Sequence, residues 1–265
     1  MAKNEIKKYE EQLPADLLDE IAGEEGLGYS DRSEDSMVPI LGILQDNSGE
    51  VKARHSKHIE GAKSGDLIIR SLGLVIPMGD TDPPVQVQPC GFDHVWVQWE
   101  GEPGEGIPVG QYPFDDRPAE AVERPKSDGE GTEWRMPDGT RLVDTRYHYA
   151  NLIGDDGSTM PIVIPMSGSN HTPSRQWTAL MKQFSVPGRP KVRAKSFMRS
   201  YGVRTKFTQR GSQSWYKYEI TDFGWITDEN LLREGLNLFR AVREREVTAE
   251  TAAEKDEVAE DEVPI

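Results

Sequence analysis

Short apolar runs separated by turn-forming residues dominate the chain and predict a β-rich body with few helices. Residues 37–45 (MVPILGILQ) read as one buried strand, and residues 67–78 (LIIRSLGLVIPM) as a second strand or a hairpin bent at Gly73. Residues 85–90 and 94–99 predict two short strands around Gly91, Phe92 and Asp93. In the second, Val95, Val97 and Trp99 alternate with Trp96 and Gln98. Residues 133–136 and 141–150 predict a hairpin closed by Pro137, Asp138 and Gly139, with Tyr147 and Tyr149 on one face. The apolar run 160–166 predicts another strand. Residues 192–208 and 214–222 predict two more around Gly211 and Ser212, charges on one face and apolar residues on the other.

Helical spacing occurs in three places. Residues 14–22 put Leu17, Leu18 and Ile21 on one side, with Pro14 in the first turn. Residues 173–184 put Trp177, Leu180, Met181 and Phe184 at helical spacing, with Thr172 or Ser174 as the cap and Trp177 read as core. Residues 227–242 start at the capping residue Thr227 and carry a broad stripe of Leu231, Leu232, Leu236, Leu238, Phe239 and Val242. Gly235 inside that stripe weakens the helix but lets another element approach closely.

The polar segments divide the chain. Residues 1–36 form an acidic extension, 37–243 a body, and 100–131, rich in Gly, Pro and acid, an irregular surface insertion within it. Residues 244–265 carry nine acids against Arg245 and Lys255; they cannot bury a core and predict a disordered tail. Composition agrees: 35% hydrophobic residues and a mean hydropathy of -0.66 leave part of the 265-residue chain solvated. The single Cys90 excludes a disulfide framework and a multi-cysteine zinc site within one chain, and reads as a buried, inert thiol. No apolar run approaches the roughly 20 residues of a membrane span, and the first residues lack the apolar core of a signal peptide.

Charge changes the picture more than composition does. The net charge is -15, yet residues 157–218 contain no Asp or Glu and hold Arg175, Lys182, Arg189, Lys191, Arg193, Lys195, Arg199, Arg204, Lys206, Arg210 and Lys217. Aromatic residues are interleaved with them. Lys and Arg that track phosphates beside rings that stack on unpaired bases are the chemistry of single-stranded nucleic-acid binding. The same pattern also suits ordinary strands with charged outer and aromatic inner faces. The basic loop with Lys52, Arg54, His55, Lys57, His58 and Lys63 is equally open between phosphate contact and plain solvation.

Catalytic signatures are absent by spacing. No close Cys or acidic partner follows His55 and His58 at a known metal-ligand spacing, Gly104-x-Gly106 has no following helix, Asp115 and Asp116 sit in a Pro-rich acidic loop, and Ser167, Ser169 and His171 lie in no nucleophile elbow. No catalytic residue, metal or cofactor is expected, and the chain reads as a binding protein rather than an enzyme.

Two resemblances sharpen this. The last six residues, Glu260, Asp261, Glu262, Val263, Pro264 and Ile265, resemble the C-terminus of bacterial single-stranded DNA-binding proteins, an acidic tail ending in an aliphatic residue, Pro and a hydrophobic residue. Ile265 stands where those proteins usually carry Phe, a departure that bears on docking to their usual host partners. Within the body, VPILGILQ (38–45), IEGAKSGDL (59–67), VWVQW (95–99), LVDTRYHYANLI (142–153) and residues 161–177 resemble a bacteriophage family of single-stranded DNA-binding proteins with OB-fold character.

The resemblance implies an α+β chain, mainly β: an OB-fold-like five-stranded barrel with a long loop insertion, a C-terminal helix and a disordered acidic tail. It implies a protein of the host cytoplasm that coats and protects single-stranded DNA in replication or recombination. In that reading the groove takes Arg189, Lys191, Arg193, Lys195, Arg199, Arg204, Lys206, Arg210 and Lys217 for phosphates. Some of Phe197, Tyr201, Phe207, Trp215 and Tyr216, with Trp96 and Tyr147, stack on bases. The tail competes with DNA and recruits replication or recombination proteins. The rival is a non-catalytic phage structural or recombination-accessory interaction protein. Self-association stays open in both, and neither involves a membrane.

Overall fold

The computed structural model describes residues 37–101, 107–126, 132–186, 189–211 and 213–249. In chain order its elements are β1 (Met37–Val38), β2 (Leu41–Ile43), β3 (Leu67–Ile69), β4 (Leu74–Ile76), β5 (Val85–Glu100), β6 (Ile107–Pro113), β7 (Val122–Pro125), β8 (Thr132–Arg135), β9 (Arg141–Ile153) and β10 (Thr159–Ser167). They continue with α1 (His171–Met181), β11 (Ser185–Val186), β12 (Arg189–Arg193), β13 (Arg199–Arg210), β14 (Gln213–Trp225), α2 (Glu229–Glu244) and β15 (Thr248–Ala249).

Most strands join one antiparallel sheet in the order β14-β13-β5-β9-β8-β7, with β6 on β5 and β10 on β9. The path stays open among the described residues, so the expected barrel closure is not seen and the β-rich α+β class stands. The reason lies in β13, which pairs with β5 at only three positions, Tyr201↔Val87, Gly202↔Gln86 and Val203↔Val85, while pairing with β14 along its whole length. The β13–β14 hairpin therefore runs past the rest of the sheet.

Alternation gives the sheet two apolar faces, and one helix covers each. On the first, Trp177 of α1 packs with Ala150, Ile162, Ile164, Met166, Tyr201 and Tyr218, joined by Leu41, Leu67 and Ile69 of the small β2-β3-β4 sheet. On the second, Leu238 of α2 packs with Cys90 and Phe197, while Val242 reaches the cluster of Tyr147, Tyr149, Val97 and Val163. Burial pushes the Cys90 thiol up to about 12, as expected of an inert core cysteine.

Several sequence expectations change in three dimensions. Residues 85–100 are one strand of 16 residues, because a bulge at Pro89 and Gly91 absorbs the irregularity that reads as a turn. The 100–131 insertion contains β6 and β7, paired with β5 and β8; β6 lies at an edge, where Pro108 and Pro113 withhold no needed donor. A turn at Ser196–Met198 splits the expected strand 192–208 and sends Phe197 to α2. The α2 cap is Asp228, not Thr227: its carboxylate accepts from the N–H groups of Asn230 and Leu231 at 2.8 and 3.1 Å.

The folded part runs beyond residue 243. Thr248 and Ala249 pair in parallel with Met37 and Val38, and Ala249 is fully buried. The expected helix 14–22, the extension 1–36 and the tail from Glu250 lie outside the described residues. The hairpin bent at Gly73 (φ 60°) and the β8–β9 hairpin form as expected.

One buried group makes the core pH-sensitive. His148 stacks on Trp177 at 4.7 Å and its Nε2 lies 2.8 Å from Ser174 Oγ. Burial, with the Arg146 charge adding to it, pushes its pKa down to about 3. The unfolded chain protonates near the ordinary value of about 6.5, whereas the folded chain does not. This stabilisation is full above about 6.5 and falls by up to about 1.4 kcal/mol per pH unit below it. Urea midpoints measured from pH 7 down to pH 5 should decline, and His148→Gln should flatten that decline; an equal slope in both proteins would show that His148 is not the group responsible.

Candidate nucleic-acid interface

Antiparallel partners share a face, and that rule sorts the basic stretch. Pairs Arg204↔Glu219, Lys206↔Lys217, Thr208↔Trp215 and Arg210↔Gln213 place Arg204, Lys206, Arg210, Lys217 and Trp215 on the outer face of the β13–β14 hairpin. Glu219 is the single acid among these residues; it pairs with Lys206 at 3.0 Å. Arg204 donates to the Gly79 carbonyl at 3.3 Å. Lys217 has no ion-pair partner among the described residues and stands directly opposite Lys206, an arrangement that costs stability.

At the base of this face lies Phe223, 46% exposed. Its ring covers Gly202: a Cβ there would lie 2.7 Å from Phe223 Cε1. The face thus runs from Phe223 through Arg204, Lys206 and Lys217 to Trp215 and Arg210, with a ring towards each end of a cationic strip. Sequence reasoning missed Phe223 because it follows Asp222, outside the acid-free stretch. The period-two run Trp215, Lys217, Glu219, Thr221, Phe223 was the available signal.

The inner face of the same hairpin is tied to the small sheet. Thr205 Oγ1 donates to the Gly65 carbonyl at 2.5 Å, the Tyr218 hydroxyl to the Leu41 carbonyl at 2.7 Å, and Gln45 exchanges two hydrogen bonds with the Tyr216 backbone at 2.8 and 2.9 Å. Phe207, 53% exposed, meets the half-buried Tyr216 edge to face at 5.5 Å. These two rings lie on the opposite face from the strip, at the free end of the hairpin.

Five expected contact residues belong to the core instead. Tyr201 is fully buried against Trp177, and Phe197 is buried under α2. Arg199 is buried between the rings of Phe184 and Trp225, at 3.6 and 4.7 Å, and pairs with Asp222 at 2.5 Å. Their faces are already taken by protein, so they offer neither a stacking surface nor a free cation. Trp96 and Tyr147 are buried as well.

Lys191, Arg193 and Lys195 are exposed on or just after β12, an arm separate from the large sheet, where Arg193 donates to the Lys182 carbonyl at 2.5 Å. The Arg189 side chain lies outside the described part, as do Glu260, Asp261, Glu262, Val263, Pro264 and Ile265.

Beside the strip, between α1 and the edge strand β14, lies a groove of about 360 Å³. Trp177, Leu180, Tyr218 and Ile220 line it together with Thr172, Gln176, Lys206, Lys217 and Glu219. The start of α1 is held to the sheet by His171, whose Nε2 lies 3.0 Å from the Asp144 carbonyl oxygen; the Asp144 carboxylate also meets His94 at 2.6 Å. Among the described residues no group of three or more His, Cys, Asp and Glu is placed to hold a metal.

A family profile described as Pam3 phage gp34-like protein matches residues 8–248, nearly the whole chain. The chain belongs to this family of phage proteins. No curated protein and no solved structure matches it. The span shared with the Pam3 phage gp34-like family takes in the hairpin, the groove, α1 and α2, and ends at residue 248, short of the stretch from Glu250. Among the described residues of this family member, no helix is long and apolar enough to cross a membrane.

A second ring cluster lies on the β5–β6 side of the sheet. Phe114 stacks on His94 at 3.6 Å and on Trp96 at 5.4 Å, and Arg117 sits 3.5 Å over Trp134. The Trp96 indole donates to the Phe114 carbonyl at 3.0 Å. These contacts fold the described part of the insertion back onto β5.

Proposed function

We propose that this phage protein binds single-stranded DNA along the outer face of the β13–β14 hairpin, serving to coat the strand in phage replication or recombination. The observation that supports this reading is the strip itself: Arg204, Lys206 and Lys217 between Phe223 and Trp215, with Arg210 just beyond Trp215, in a chain of net charge -15. Cations would follow the phosphates and the two rings would stack on bases, each ring contributing about 1–3 kcal/mol. Duplex DNA would bind poorly, because its bases are already stacked. The exposed Lys191, Arg193 and Lys195 add a second basic surface for the strand to reach. The acidic tail would compete with DNA for these cations and, when displaced, recruit replication or recombination proteins.

Fluorescence anisotropy with single-stranded and duplex DNA of equal length tests this. The expected result is preference for the single strand, with log K falling about 0.7 per neutralised phosphate for each tenfold rise in salt. Removing residues 250–265 should raise affinity at low salt. Failure to bind either DNA, with or without the tail, would favour a non-catalytic interaction protein instead.

A further inference from the structure

We infer that the groove between α1 and β14 receives one nucleotide of the bound strand, its base against the half-buried Leu180 and Ile220 beside Trp177 and its phosphate on Lys217. The inference rests on the single-strand reading but concerns a different surface, the edge of β14 rather than the outer face of the hairpin.

Three features of the groove point to this occupant. Its lining combines apolar residues, Trp177, Leu180, Tyr218 and Ile220, with polar or charged ones, Thr172, Gln176, Lys206, Lys217 and Glu219. That combination suits a flat aromatic base joined to an anionic phosphate. The charges also fit: Glu219 is neutralised by Lys206 at 3.0 Å, which leaves Lys217 as the uncompensated cation at the groove. Finally, Trp177 is 1% exposed and its Nε1 has no hydrogen-bond partner among the described residues. A buried indole N–H without an acceptor is costly, and the carbonyl or ring nitrogen of a base edge would accept from it. Thr172 and Gln176 are exposed on the groove side of α1 and supply further polar contacts. The volume, about 360 Å³, lies at the lower end of small-ligand pockets. Lys206 and Lys217 belong to both groove and strip, so a strand lying on the strip passes the groove mouth.

The test uses the full chain with isotope-labelled tryptophan. Thymidine monophosphate, inorganic phosphate and an oligothymidylate are added separately while the assigned Trp177 indole N–H resonance is followed. Gln176→Trp, which fills the groove from an exposed helix position, is the blocking variant. Thymidine monophosphate should move the resonance, phosphate alone should not, and Gln176→Trp should abolish the effect while weakening oligothymidylate binding about tenfold. The inference is overturned if the nucleotide leaves Trp177 unmoved, or if phosphate reproduces the shift. In that event, equal oligonucleotide binding by both proteins would keep the strip reading and remove only the groove. A nucleotide shift without any oligonucleotide binding would overturn both the strip reading and the strand-bound groove, and leave a mononucleotide site.

Discussion

Gly235→Ala should destabilise the protein by about 3 kcal/mol, although alanine is the better helix former by about 1 kcal/mol. A Cβ at this position would lie 2.6 Å from Gln88 Cδ and closer still to Nε2. Gln88 has nowhere to retreat, because it is fully buried and all its bonds are used. Its Nε2 donates to the Phe197 and Leu231 carbonyls, each at 2.8 Å, and its Oε1 accepts from Asn151 at 3.1 Å. The knot ties β5, β9, the turn before β13 and α2 together. Displacing it strands buried polar groups at about 1–3 kcal/mol each, more than helix propensity returns. Urea denaturation of Gly235→Ala, Gln88→Ala and the double variant would measure this. The double variant should be less destabilised than the sum of the singles, since the clash is gone once the amide is removed. A neutral or stabilising Gly235→Ala would show that α2 can shift and that the knot is loose.

That close approach was legible in the sequence, because a glycine inside an apolar helical stripe has few other uses. The apolar strands, the core role of Trp177 and the bend at Gly73 were legible for the same reason: local pattern and local chemistry agree there. Elsewhere pairing decides. The run Gly91, Phe92, Asp93 has turn composition, yet continuous pairing with β9 on both sides of the bulge holds β5 extended through it. Within the acid-free stretch, Tyr201 and Lys206 look equally available, but only register with β5 and β14 shows that the first faces α1 and the second faces outward. Arg199 carries the same charge as Arg204, and what removes it from the candidate surface is Asp222 with two rings, Phe184 and Trp225, that arrive from distant sequence. A charge count therefore marks out the hairpin as basic but does not say which of its residues face outward.

Replacing Lys206 and Lys217 together with threonine should weaken single-stranded DNA binding by about tenfold or more at low salt while leaving stability within about 1 kcal/mol. The two effects separate because of how the lysines are placed. Directly opposed like charges destabilise a strand pair by a few tenths of a kcal/mol or more, so Lys217→Thr alone should raise stability slightly, with a β-branched residue suited to the strand. Removing Lys206 gives up only an exposed pair with Glu219, which still faces Arg204 across the hairpin. Binding should respond in the opposite direction. Each phosphate deprived of its lysine lowers the steepness of log K against log salt by about 0.7 for a single strand, so the double variant should be flatter by about 1.4. Anisotropy titrations at several salt concentrations, with thermal melts of the same samples, read both quantities. A slope that does not change would mean that phosphates do not lie on this face, and attention would move to Lys191, Arg193 and Lys195 on the β11–β12 arm. A flatter slope with preserved or raised stability would mean that the chain keeps a destabilising lysine pair because the strand needs it.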